Sequence, residues 1–90
     1  MIENEIRAGV RQFILDKFLI GEPPESLKDS TLLMSSGILS SLATLELVAF
    51  LENTYAVTLQ PADLTRERLD SVERIVALVE ELRRRQTQTP

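Results

Sequence analysis

Apolar residues return at intervals of three and four in three separate stretches of this 90-residue chain, while no two stretches alternate as paired strands would. That pattern restricts the chain to a small all-α fold. Residues 3 to 19 place Ile6, Val10, Phe13, Ile14 and Phe18 on one face, with Glu3, Glu5, Arg7, Arg11, Gln12 and Lys17 elsewhere. Gly21 and Pro23-Pro24 end this first helix. A second helix is expected over residues 41 to 54. The third clear pattern sets Val72, Ile75, Val76, Val79 and Leu82 on a single face, with Asp70 and Glu73 spaced as a capping box. It ends in Arg83-Arg84-Arg85, cations placed where the helix dipole favours them. A solvated helix end is the preferred reading of that triplet, against a site for an anionic partner. Tyr55 to Leu59 alternates briefly but has no second strand to pair with. Pro61, and Thr65 before Arg66-Glu67-Arg68-Leu69, mark one or two short helical turns instead. The chain therefore reads as one domain over residues 1–85 with a flexible tail at 86–90.

Between the first two helices, residues 21 to 39 show no lasting period. A structureless connection of that length is uncommon in so small a domain and is usually functional. Leu27, Leu32, Leu33 and Ile38 are the residues expected to pin it to the core. It runs into Gly37-Ile38-Leu39-Ser40-Ser41-Leu42, where a loop ends and a helix begins, and the first helical N–H groups have no partner within the helix. Such a junction can hold a phosphate.

The second helix is apolar on two sides. Ala43, Leu47, Phe50 and Leu51 fall on one, and Leu42, Leu45 and Ala49 on another beside Glu46, Glu52 and Asn53. Full burial is hard to achieve in a domain of this size, so the first set is assigned to the core and the Leu42, Leu45, Ala49 stripe to a partner surface. The alternative is that the stripe is further core.

What the chain lacks narrows its chemistry. It has no histidine, which removes the usual general base, the usual partner of a nucleophilic serine and the commonest metal ligand. It has no cysteine, which excludes disulfides and thiolate chemistry of its own. Lys17 and Lys28 are its only lysines, and neither sits in a recognisable pairing motif with a serine. The chain is thus read as a non-enzyme. A serine modified by another enzyme needs no internal base, only exposure, a rigid place and tolerance of the anion it will carry. The first turn of a helix supplies these, favouring a phosphate by roughly 0.3 to 1 kcal/mol. The start of the chain lacks a signal-peptide pattern and no 18-residue apolar run occurs, so the protein is read as cytoplasmic, without membrane insertion. A net charge of −4 argues against nucleic acid and favours partners with a basic surface.

Residues 37 to 48, Gly-Ile-Leu-Ser-Ser-Leu-Ala-Thr-Leu-Glu-Leu-Val, resemble the Gly-x-x-Asp-Ser-Leu-x-x-x-Glu-Leu-Val region of acyl carrier proteins. The family also includes peptidyl and aminoacyl carrier domains. The resemblance extends over nearly the whole chain: an amphipathic first helix, a long loop, a serine at the start of helix two, a short third helix after Asp63-Leu64-Thr65, and a fourth opening at Ser71-Val72. It implies a four-helix bundle with a 4′-phosphopantetheine arm joined by a phosphodiester to Ser41 and ending in a thiol that carries acyl or aminoacyl groups as thioesters. It also implies partners: a phosphopantetheinyl transferase, a loading ligase, and downstream synthases or transferases of fatty acid, polyketide, nonribosomal peptide or specialised lipid biosynthesis. On helix two, Leu42, Leu45, Glu46, Ala49 and Glu52 match positions that carriers turn to those enzymes. A monomer is expected, since the apolar stripe is modest.

The sequence departs from the family at Ser40, where carriers usually have aspartate, and at Ser35-Ser36-Gly37, where many free-standing carriers read Asp-Ser-Gly. Serine caps a helix about as well as aspartate, so the fold survives the change, but the charge that helps the transferase recognise its target is lost. Asp70-Ser71-Val72 also looks like the motif but lacks the glycine loop, and is read as a helix cap. The other readings of the chain are an unmodified carrier-like domain, or an unrelated helical adaptor acting only through protein–protein contacts.

Overall fold

Helix α1 (Ile2–Phe18) turns the face predicted from its spacing inward, with Ile6, Val10 and Ile14 buried and Phe13 and Phe18 packed at the core's margin. The structure, a computed structural model, describes residues 2–87. Gly21 takes φ +85°, a left-handed turn conformation that glycine adopts without steric cost, and the chain leaves the helix there. The remaining helices are α2 (Ser41–Tyr55), α3 (Arg66–Leu69) and α4 (Val72–Thr87), with single 3₁₀ turns at Pro24–Ser26 and Pro61–Asp63. Among the described residues there is no strand, and the fold is a small four-helix bundle.

Helix α4 is the central element, packed along α1 and in contact with α2 and α3. Val72, Ile75, Val76, Val79 and Leu82 are buried as their spacing predicts, and Leu78 joins them. α2 contributes Ala43, Leu47 and Leu51, and α3 contributes Leu69. Phe13 stacks on Phe50 with ring centroids 4.3 Å apart, an aromatic pair that fastens α1 to α2. At the far end of α2 the Tyr55 hydroxyl donates to the Ile6 carbonyl at 3.3 Å. Gly9 makes that approach possible, since a Cβ there would stand 2.3 Å from the Tyr55 oxygen. Burial raises the pKa of this phenol.

The long loop is fastened by polar as well as apolar groups. Arg11 donates to the carbonyls of Leu27 and Pro24, and Asp29 forms ion pairs with Arg7 and Arg11 at 2.9 and 3.4 Å. The Asp29 carbonyl in turn accepts the Glu73 N–H at 3.1 Å, tying the loop to the start of α4. Leu27 and Leu33 are buried and Ile38 is half-buried, but Leu32 is 50% exposed, contrary to expectation. Leu39, not among the expected anchors, is buried at 3% exposed.

Two boundaries also differ from the sequence-based expectation. Asp70 is not the cap of α4: the helix starts one residue later, and Ser71 Oγ accepts the Arg74 N–H at 3.3 Å. The capping box with Glu73 is therefore absent, because the Asp70 carboxylate faces the loop instead. At the C-terminal end α4 continues through Thr87, and Gln86 exchanges two hydrogen bonds with the backbone of Thr58, at 3.2 and 3.0 Å. The rest of the expected tail, residues 88–90, lies outside the described residues.

Candidate functional site

The loop before α2 closes on itself. Gly37 donates to the Met34 carbonyl at 3.2 Å, and Leu39 donates to the Leu33 carbonyl at 2.9 Å. The turn needs a residue at φ +89°, which Gly37 supplies. Leu33 and Leu39 are both buried at the two ends of this small ring. Ser40 follows in extended conformation, its Oγ accepting the Ala43 N–H at 3.2 Å and its carbonyl accepting the Thr44 N–H at 2.9 Å. That is the cap expected of it.

Ser41 is then the first residue of α2, and it is exposed. Among the described residues no group hydrogen-bonds its hydroxyl. The two neighbouring serines are thereby distinguished: Ser40 spends its oxygen on the helix, and Ser41 keeps its own for solvent. The first turn of α2 contains no acidic side chain to offset the positive end of the helix. An anion joined to Ser41 would meet the unpaired N–H groups there.

Along the exposed side of α2, Leu42 and Leu45 are 68% and 60% exposed, and Glu46 and Ala49 are also exposed. The stripe is not core. Glu52 differs from the others: it is half-buried, and its carboxylate accepts the Leu59 N–H at 2.9 Å, closing the turn after α2. Three surface pockets, of about 410, 250 and 130 Å³, are lined by α1, the loop after it and α4, and none of the three linings includes a residue of α2. Among the described residues no cluster of acidic side chains could hold a metal ion, and no helix is long and apolar enough to cross a membrane.

Asp70 and Ser35 belong to this site, although neither is a candidate on sequence grounds. The Asp70 carboxylate is 4% exposed. Its Oδ1 accepts the N–H groups of Leu33, Met34 and Ser35 at 3.1, 2.8 and 3.0 Å, and its Oδ2 accepts the Ser35 hydroxyl at 2.7 Å. These bonds to the charged form, the Ser35 hydroxyl foremost and its N–H next, hold the Asp70 pKa below the usual carboxylate range. Partners 35 to 37 positions away leave no local pattern, and the only sign in the sequence is an aspartate directly after a core leucine.

No family model matches the sequence. The chain is 36% identical over 75 residues to the D-alanyl carrier protein of Streptococcus uberis, an alignment that covers 81% of this chain and 94% of that protein. A likeness of that extent, on a four-helix bundle with a capped, exposed serine at the head of α2, places the chain in the acyl carrier protein family.

Proposed function

We propose that this chain is a carrier whose Ser41 hydroxyl bears 4′-phosphopantetheine and that its cargo is an aminoacyl group. The observation that carries the attachment point is the contrast between Ser40 and Ser41, one hydroxyl committed to the helix and the next one free. When bound, the arm supplies the terminal thiol that a chain without cysteine lacks. Everything else is the work of the protein's own residues. Ser40 fixes the helix start, the open N–H groups of Ser41 and Leu42 favour the phosphodiester anion, and the buried Ala43, Leu47 and Leu51 hold α2 in place beneath it. With no histidine in the chain, the base that activates Ser41 comes from the modifying transferase. The carrier itself catalyses nothing.

Leu42, Leu45, Glu46 and Ala49 form the surface offered in turn to the transferase, a loading ligase and a downstream transferase or synthase. Apolar area at the centre and a carboxylate at the rim fit a basic, partly apolar partner patch. Glu52 joins this surface only through the oxygen that Leu59 leaves free. We read the protein as a cytoplasmic monomer. The relative's name favours D-alanine among aminoacyl cargoes, ahead of fatty acyl and polyketide chains.

Incubation of the apo protein with coenzyme A and a broad-specificity phosphopantetheinyl transferase, followed by intact mass measurement, tests the attachment. Wild type and Ser40→Ala gain one phosphopantetheine, and Ser41→Ala gains none. Retention of the gain in Ser41→Ala would move the site. No gain in the wild type would favour the reading in which the missing aspartate marks an unmodified interaction module. Addition of ATP, D-alanine and a D-alanine-adenylating ligase to the modified protein then produces a second, hydroxylamine-labile gain of one alanyl group.

A further inference from the structure

We propose that the buried Asp70 carboxylate and the Ser35 hydroxyl form a clamp that positions Ser41 for its modifying enzyme, holding the loop that presents it from the link between α3 and α4. The inference rests on the reading of Ser41 as the attachment point.

A carboxylate at 4% exposure is costly unless its lone pairs are satisfied. Here, among the described residues, they are satisfied by one short segment: three consecutive N–H groups and one hydroxyl, all from residues 33–35. Helix capping does not use the Asp70 carboxylate: Asp70 is the C-cap residue of α3, its side-chain bonds go to residues 33–35, and Ser71 caps α4. The backbone repeats the connection, since the Asp70 carbonyl also accepts the Leu33 N–H, at 2.8 Å.

From the clamp to Ser41 the restraints are continuous. Leu33, held by Asp70, accepts the Leu39 N–H, and Leu39 is buried next to Ser40, the cap of α2. Inside that ring Ser36 donates to the Leu32 carbonyl and accepts the Ile38 N–H at 3.4 Å, and Gly37 closes on Met34. The loop is thus held from the link between α3 and α4, a segment that carries no part of the attachment motif. Asp70 is a positioning residue. It is too deeply buried to meet a partner enzyme, so any effect of its replacement on recognition must pass through the loop.

Asp70→Asn, Ser35→Ala, Ser35→Thr and the double variant Ser35→Ala/Asp70→Asn test this. The measurements are transferase kinetics on apo protein shown to be helical by circular dichroism, and ¹⁵N–¹H spectra with amide exchange. Expected are a several-fold rise in the transferase KM for Ser35→Ala and Asp70→Asn at little-changed kcat, no further rise in the double variant, and recovery in Ser35→Thr, which keeps the hydroxyl. The spectra of Ser35→Ala should show faster exchange at Leu33 to Ser35 and shifted resonances through Ile38 to Leu42, with α1 unmoved. Unchanged KM in both folded single variants would overturn the proposal, as would spectral changes that stop at Ser36. If wild-type protein accepts no phosphopantetheine the attachment reading fails by itself, and the spectra still decide whether the clamp sets the conformation at Ser41.

Discussion

Replacing Ser40 separates what its side chain does for the helix from the attachment role proposed for the neighbouring serine. In Ser40→Ala the 3.2 Å bond to the Ala43 N–H is lost, leaving a third unpaired donor beside those of Ser41 and Leu42. The N–H is partly solvated and the bond is long, so the cost falls in the lower half of the range for lost caps, about 0.5–1 kcal/mol. In a domain of this size that is a drop in Tm of roughly 2–8 °C. Ser40→Asp keeps a capping oxygen and adds a charge at a helix start that has no acidic residue in its first turn. It should raise stability by about 0.3–1 kcal/mol at low salt.

Urea unfolding followed at the helical ellipticity band, at low salt and again near 0.5 M, measures both effects. The loss in Ser40→Ala should persist in salt, since it is a hydrogen bond. The gain in Ser40→Asp should shrink, since exposed charges more than a few ångströms apart are screened there. Ser40→Asp also restores the acidic residue that carriers usually place before the modified serine, so a broad-specificity transferase should modify it faster than wild type. Stability of Ser40→Ala within a few tenths of a kcal/mol of wild type would refute the capping assignment, and with it the argument that distinguishes Ser40 from Ser41.

Three further outcomes follow from the packing and the charges. Leu47→Ala, at a site with no exposure, should cost about 2–5 kcal/mol, whereas Leu45→Ala should stay within about 0.5 kcal/mol of wild type while slowing loading by the partner ligase. Thermal unfolding and loading rates distinguish the two. Gly9→Ala should lose stability, by about 1–3 kcal/mol of overpacking against a helix-propensity gain of up to about 1 kcal/mol. Tyr55→Phe in that background should return most of the loss, because the next ring atom lies 3.6 Å from the added Cβ. The depressed pKa of Asp70 sets an acid limit: its contribution is fully present above the unfolded value of about 4, declines as pH falls below it, and is gone once pH passes under the folded value. Urea midpoints measured from pH 6 to pH 2 should therefore fall less steeply in Asp70→Asn than in wild type.

The three longer helices were legible because each repeats its apolar residues over several turns, and a single misplaced residue barely disturbs such a pattern. The cap at Ser40 and the exposure of Leu42 and Leu45 were legible for a related reason, as they depend on neighbours within one turn. The loop offered no period. Nothing local distinguishes Leu32 from Leu33, yet Leu33, whose N–H Asp70 accepts, is buried and Leu32 is 50% exposed. Asp70 misled for the same reason. By spacing it made a capping box with Glu73, but Ser71 is an equally good cap, and its use there releases the carboxylate to the loop. Glu52 stands beside the apolar stripe on the wheel, and a backbone N–H seven residues on takes one of its oxygens, a contact the wheel does not show.

Asp70 and Glu52 share a physical feature that bears on how the site works. Each involves a carboxylate whose partner is a backbone N–H in an irregular segment, where the peptide groups have no ladder of their own and must find acceptors elsewhere. Asp70 answers the loop before α2 and Glu52 the turn after it, so side chains hold both ends of the helix that carries the candidate attachment point. The core beneath α2 fixes its axis, while the conformation of the loop that leads into Ser41 is set by directed hydrogen bonds at the start of the helix. Specification of where Ser41 points therefore falls to the polar contacts, and the substitutions that most alter its presentation should be those of Asp70, Ser35 and Ser40 rather than the larger losses of stability in the core.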